Sequence, residues 1–136
     1  RALLWLAPNR SELVVTLRGE LLLSRRIDVG SERLGAADEA VQTAAQEHLA
    51  LEVQRTLDLC ERLFSHANVA DLAIVPNELS EPLSDYLREV VYLPVVVLPL
   101  AELLDLDAVP ALADVAAQAR YAVAIGAALR DIDGAG

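Results

Sequence analysis

Apolar and polar residues alternate along the chain in stretches that read as strands and helices. Leu3 to Leu6 is a continuous apolar run without alternation, the mark of a strand covered on both faces. Glu12 to Arg18 sets apolar Leu13, Val15 and Leu17 against Glu12, Thr16 and Arg18, with Val14 the exception, so one face is the better buried. Gly19 supplies a residue that tolerates positive φ, and Glu20 to Val29 follows as a third strand, closed by Gly30. Its polar Ser24-Arg25-Arg26 places the second half near a sheet edge. The turn between the first two strands is Ala7-Pro8-Asn9-Arg10.

A long segment from about Ala37 to His66 lacks Pro and Gly, and Leu49, Val53, Leu57, Cys60 and Phe64 recur in it at helical spacing. Leu59 and Leu63 widen this stripe, while Glu52, Arg55, Asp58 and Arg62 line the opposite side, spaced for pairing. The helix is expected to lie flat on the sheet. Ala70 to Val75 is a short strand ended by Pro76-Asn77, and Ser80 or its neighbours cap a helix that runs through Leu83 and Leu87 to about Val91. Val95 to Leu98, fenced by Pro94 and Pro99, is an edge strand. An acidic stretch, Glu102 to Pro110, leads to an alanine-rich helix from about Ala111 to Arg130. Strand, helix, strand at this length is a βαβ unit with parallel neighbours. The order is βββαβαβα on a five-stranded mixed sheet in a single domain spanning residues 1–136. That is the order of the ribonuclease H-like fold, the half-domain of actin-like ATPases.

Charge and composition remove several functions from this frame. The net charge is −10 and every cation is an arginine, so nucleic-acid phosphate and anionic lipid are repelled. No apolar run approaches the roughly 20 residues that span a bilayer. The lone Cys60 has no internal disulfide partner, which suits a reducing compartment. Arg1 in place of an initiator Met suggests a piece of a longer protein.

A two-metal nuclease needs acidic side chains on the first strand, and that strand offers Leu3, Leu4, Trp5 and Leu6. An actin-like nucleotide site needs an Asp-x-Gly signature after the first strand and a Gly-Gly after the fourth, where backbone N–H groups meet phosphate and adenosine. Here Trp5 stands for the acid, Ala7 for the glycine, and Pro8 has no N–H. Ser11 is the one remaining phosphate donor, and Pro76-Asn77-Glu78 replaces the second signature. The expectation is a degenerate nucleotide loop with no cofactor, and Ala7 to Arg10 an ordinary β-turn. His48, Cys60 and His66 share no close metal-ligand spacing. Glu78, Glu81 and Asp85, and Glu102, Asp105 and Asp107, read as solvated charges rather than an acid/base pair. Arg25 and Arg26 form the one local basic spot able to grip an acidic partner.

Several phrases resemble the PilM-type pilus assembly proteins. Tyr121 to Arg130, YAVAIGAALR, resembles their closing segment; Gly19 to Gly30, GELLLSRRIDVG, is similar to their third-strand segment; Leu49 to Phe64 is similar to their long helix; and LSDYLREVVYLPVVVLPL is similar to the helix and edge strand that follow. Within that group the degenerate loops and the EVQRTLD phrase sit nearest the MshI-type branch that serves mannose-sensitive haemagglutinin (MSHA) pili, with the cytoplasmic domain of GspL-type secretion proteins more distant. The resemblance implies a cytoplasmic, actin-like half-domain peripheral to the inner membrane, a non-catalytic scaffold docked to the cytoplasmic tail of a membrane-anchored assembly protein and to the rest of its own chain. The alternatives it leaves are an actin-like ATP-binding domain completed by a missing N-terminal half, and a homodimer formed through the last helix or a sheet edge.

Overall fold

A computed structural model describes residues 1–18, 20–64 and 68–99. The alanine-rich helix expected at 111–130, the acidic stretch before it, Gly19 and His66 lie outside the described residues. Five strands and three helices run in the order β1 (Ala2–Leu6), β2 (Ser11–Leu17), β3 (Glu20–Ile27), α1 (Ser31–Leu34), α2 (Glu39–Leu63), β4 (Leu72–Ile74), α3 (Ser80–Val90) and β5 (Val95–Val97). They build one mixed sheet in the spatial order β3-β2-β1-β4-β5. β1 pairs antiparallel with β2 and parallel with β4, and β4 pairs parallel with β5. The protein is therefore α/β, with β1 central and β3 and β5 at the edges.

The unbroken apolar run of β1 follows from this position. Ala2, Leu4 and Leu6 enter one core with Leu13, Val15 and Ile27, where Leu49, Val53, Leu57 and Cys60 of α2 and Leu83 and Leu87 of α3 meet them. Leu3, Trp5 and Ala7 point to the opposite face and form a second cluster with Val14, Ala73, Val75 and Leu98. Val14 breaks the alternation of β2 because this second face is buried around it too, leaving Val14 only 2% exposed. Truncating a core leucine such as Leu49 to alanine costs about 2–5 kcal/mol in such settings.

α2 starts at a side-chain cap, Asp38 accepting from the Ala40 N–H at 2.9 Å. Its outer side is ordered by Glu52, which takes Arg25 of β3 at 3.0 Å and Arg55 at 3.1 Å. Asp58 and Arg62 form no ion pair among the described residues. Gln54 reaches across to the Val90 carbonyl and ties α2 to the end of α3.

Several local expectations are corrected. β3 ends at Ile27 rather than Val29, and its ladder slips between Val15 and Thr16, leaving Leu22 as an extra residue. The polar connection after Gly30 contains the single turn α1. The turn after β2 places Arg18 at φ 53°, a left-handed conformation for a residue with a side chain. Leu63, the last residue of α2, is 61% exposed and does not widen the apolar stripe. Ser80 is the first residue of α3 and does not cap it; the Asn77 side chain accepts the Leu79 N–H at 2.8 Å instead.

Candidate functional site

Parallel pairing of β1 and β4 puts their C-terminal ends side by side. The two turns singled out in the sequence, Ala7 to Arg10 and Pro76 to Glu78, therefore flank one another at the same end of the sheet. The Val75 N–H donates to the Leu4 carbonyl at 2.9 Å and carries the ladder up to that end. The structure thus brings together the positions that a nucleotide site of this topology would use.

What those positions do is bind the chain to itself. The Ala7 N–H donates to the Arg10 carbonyl at 2.8 Å, closing a turn whose tip is Pro8 and Asn9. The first two N–H groups of α1 then reach back over this turn: Ser31 donates to the Ala7 carbonyl at 2.8 Å and Glu32 to the Pro8 carbonyl at 2.9 Å. Helix-start N–H groups are the donors that could meet an anion. Here they are already taken. Ser11, the one side chain left to hold a phosphate, is fully buried, and its hydroxyl donates to the Val29 carbonyl.

Gly30 makes the crossing over the turn sterically feasible. A Cβ at this position would fall well inside 3.0 Å of the Ala7, Pro8 and Arg10 backbone. Its φ of −122° and ψ of −173° are open to any residue, so space alone demands glycine.

The second turn is closed by similar means. Asn77 accepts the Leu79 N–H through its side chain and donates its own backbone N–H to the Ser80 hydroxyl at 2.6 Å. Ser80 Oγ also lies 3.2 Å from Asn77 Oδ1. Glu78 is exposed beside this loop and contributes a negative charge.

Trp5, in the place of the acid, is 7% exposed on the second face, with its indole N–H buried and without a partner among the described residues. Ala7 is buried, Pro8 exposed, and Pro76 and Asn77 half-buried. Arg25 and Arg26, adjacent in sequence, are separated by the strand pleat. Arg25 joins Glu52 on the helix-covered face, and Arg26 approaches Glu12 at 3.7 Å on the other. They do not form a single basic spot.

His48 is exposed on α2, and Cys60 is fully buried near the sheet. Burial pushes the Cys60 thiol up, which disfavours the thiolate a nucleophile or metal ligand needs. Among the described residues no three His, Cys, Asp or Glu side chains cluster as metal ligands, and no helix is long and apolar enough to cross a membrane.

The sequence located both turns but not the latch that closes the first. Its signal was the Gly30-Ser31 pair directly after β3, legible only once β3 is known to pass beside the β1–β2 turn. Compared with models of known protein families and with curated proteins, the chain matches none.

Proposed function

We propose that this chain is a non-catalytic interaction module with a ribonuclease H-like, actin-like half-domain fold, acting as a scaffold in the inner-membrane assembly platform of a type IV pilus of the MSHA kind or a related secretion system. The observation that carries the non-catalytic part is the closed first turn: Ser31 and Glu32 N–H groups and the Ser11 hydroxyl are spent on carbonyls of the same chain. A nucleotide would have to displace three hydrogen bonds and two buried partners before gaining its own. The strand order 3-2-1-4-5, with three antiparallel strands leading into a parallel βαβ, supports the fold assignment. The pilus assignment rests on the resemblance of the Gly19–Gly30, Leu49–Phe64 and Tyr121–Arg130 phrases.

On this reading the module sits in the cytoplasm, held at the inner membrane by the tail of a membrane-anchored partner. Biolayer interferometry with synthetic cytoplasmic tails of pilus and secretion assembly proteins tests it. Saturable binding of one such tail is expected, and no binding by any of them contradicts the assignment.

A further inference from the structure

α2 and α3 lie side by side on the face of the sheet opposite Trp5, tied where the Gln54 side chain donates to the Val90 carbonyl. Glu47, Leu51, Gln54, Asp58 and Glu61 follow one another at spacings of four, three, four and three residues, the rhythm of a coiled-coil seam. They form one line along α2, with Gln54 in the middle, so the line borders α3. It covers about 21 Å of helix. The tyrosines of the α3 side agree: burial first and then Glu47 push the Tyr86 hydroxyl up, and burial, Glu61 and Asp58 do the same at Tyr92. Leu51 is 44% exposed and Tyr92, just past α3, 63%, while Tyr86 and Val90 are half-buried. Glu47, Asp58 and Glu61 are exposed and form no ion pair among the described residues. The result is a groove with apolar side chains open to solvent and uncompensated carboxylates along its α2 rim.

We infer that the groove between α2 and α3 docks a basic amphipathic helix of a partner protein, which sets aliphatic side chains on Leu51 and Tyr92 and Lys or Arg side chains against Glu47, Asp58 and Glu61. The inference deepens the scaffold reading above and rests on it for the partner. Charge complementarity selects the occupant. A second copy of this chain brings a net charge of −10 to an acidic rim, and an anionic lipid surface is repelled in the same way. A cytoplasmic segment next to a membrane anchor carries an excess of Lys and Arg, the sign this groove lacks. Helix-in-groove recognition reads apolar anchors at helical spacing, and a cation can also lie over a tyrosine face. Ion pairs at such exposure are individually weak. The apolar anchors therefore supply affinity, and the carboxylates supply register and rate of encounter.

The test follows the fluorescence anisotropy of a labelled, blocked fifteen-residue peptide of Leu and Lys, its leucines at helical spacing, as the chain is added at low salt. Peptides with Glu or Gln in place of every Lys are the comparisons. Expected is saturable binding of the Lys peptide, weaker binding of the Gln peptide and none of the Glu peptide. Asp58→Asn with Glu61→Gln should weaken the Lys peptide about ten-fold. Glu20→Gln with Asp28→Asn, the same charge change at exposed positions flanking β3, should leave it within two-fold. Leu51→Ala and Tyr92→Ala, at exposed side chains, should each weaken it at least three-fold with an unchanged far-UV spectrum. No saturable binding, an equal loss from both neutralised pairs, or full binding by Leu51→Ala and Tyr92→Ala overturns the inference, the last two reducing it to diffuse attraction by net charge. Sedimentation of the chain alone should show a monomer; a dimer split by Leu51→Ala gives the groove to a second copy and also overturns it. A chain that takes the Lys peptide in this groove but no assembly-protein tail keeps the groove and loses the pilus assignment, and a tail that binds Leu51→Ala and Tyr92→Ala undiminished does the reverse.

Discussion

The backbone N–H of Ser31 donates to the carbonyl of Ala7 at 2.8 Å, joining the start of α1 to the first turn of the sheet across 24 residues of chain. Together with the Glu32 to Pro8 bond it makes that turn part of the protein's own framework.

Gly30 is the hinge of this arrangement, and Gly30→Ala should be costly. The new methyl meets backbone, which cannot swing aside like a side chain. Overpacking of this kind typically costs about 1–3 kcal/mol, occasionally more. Urea unfolding should show a lower midpoint at unchanged slope. Gly35→Ala, where the nearest atom is 3.2 Å away, should cost less.

Ser11→Ala removes a fully buried hydroxyl and leaves the Val29 carbonyl without that donor. Losing one partner of a buried hydrogen bond costs about 1–3 kcal/mol. Thermal unfolding should report that loss, whereas a solvent-facing phosphate ligand would be replaced with almost no effect on stability.

Much of this was legible in the sequence, and the exceptions have physical reasons. Continuous apolar residues from Leu3 to Leu6 announced a strand buried on both faces, and the Leu49–Val53–Leu57–Cys60 stripe announced the face of α2. Pro94 and Pro99 placed β5 at an edge. The extra residue at Leu22, the left-handed Arg18 and the α1 turn were not foreseen, since each depends on how neighbouring strands are registered. Ser11 reads as the last available phosphate donor because a hydroxyl looks the same in sequence whether it faces solvent or a buried carbonyl. Arg25 and Arg26 read as one basic spot because adjacency in sequence hides the pleat that sends them to opposite faces.

Glu52 holds the second such long-range tie, between α2 and β3. Its carboxylate is 13% exposed, while Arg25 and Arg55 are 41% and 61% exposed at the side chain. Solvent screening limits what each arginine contributes. Arg55→Ala should cost no more than about 0.5 kcal/mol and Arg25→Ala about 1 kcal/mol or less. Glu52→Ala should exceed either, as it removes both pairs. A double-mutant cycle between positions 25 and 52 should return a coupling energy, and additivity there would remove the tie.

Cys60 predicts a pH dependence. Burial raises its thiol in the folded state, so the unfolded chain loses that proton first. The stabilising contribution is complete below the unfolded thiol's value of about 8.5 and is lost as pH rises through the folded value. Chemical unfolding between pH 8 and 9.5 should therefore show stability falling with pH, by up to about 1.36 kcal/mol per unit. Cys60→Ala should flatten that slope whatever its effect on absolute stability. Tyr86 and Tyr92 are also raised by burial, but their window opens above pH 10.

The closed first turn leaves no free donor for a nucleotide phosphate among Ser31 N–H, Glu32 N–H and the Ser11 hydroxyl. Calorimetric titration of Mg-ATP into the protein tests it in one measurement. No saturable heat up to millimolar nucleotide is predicted, because the Ser31, Glu32 and Ser11 donors are already engaged. Micromolar affinity, lost on substitution at Ser11, would contradict it.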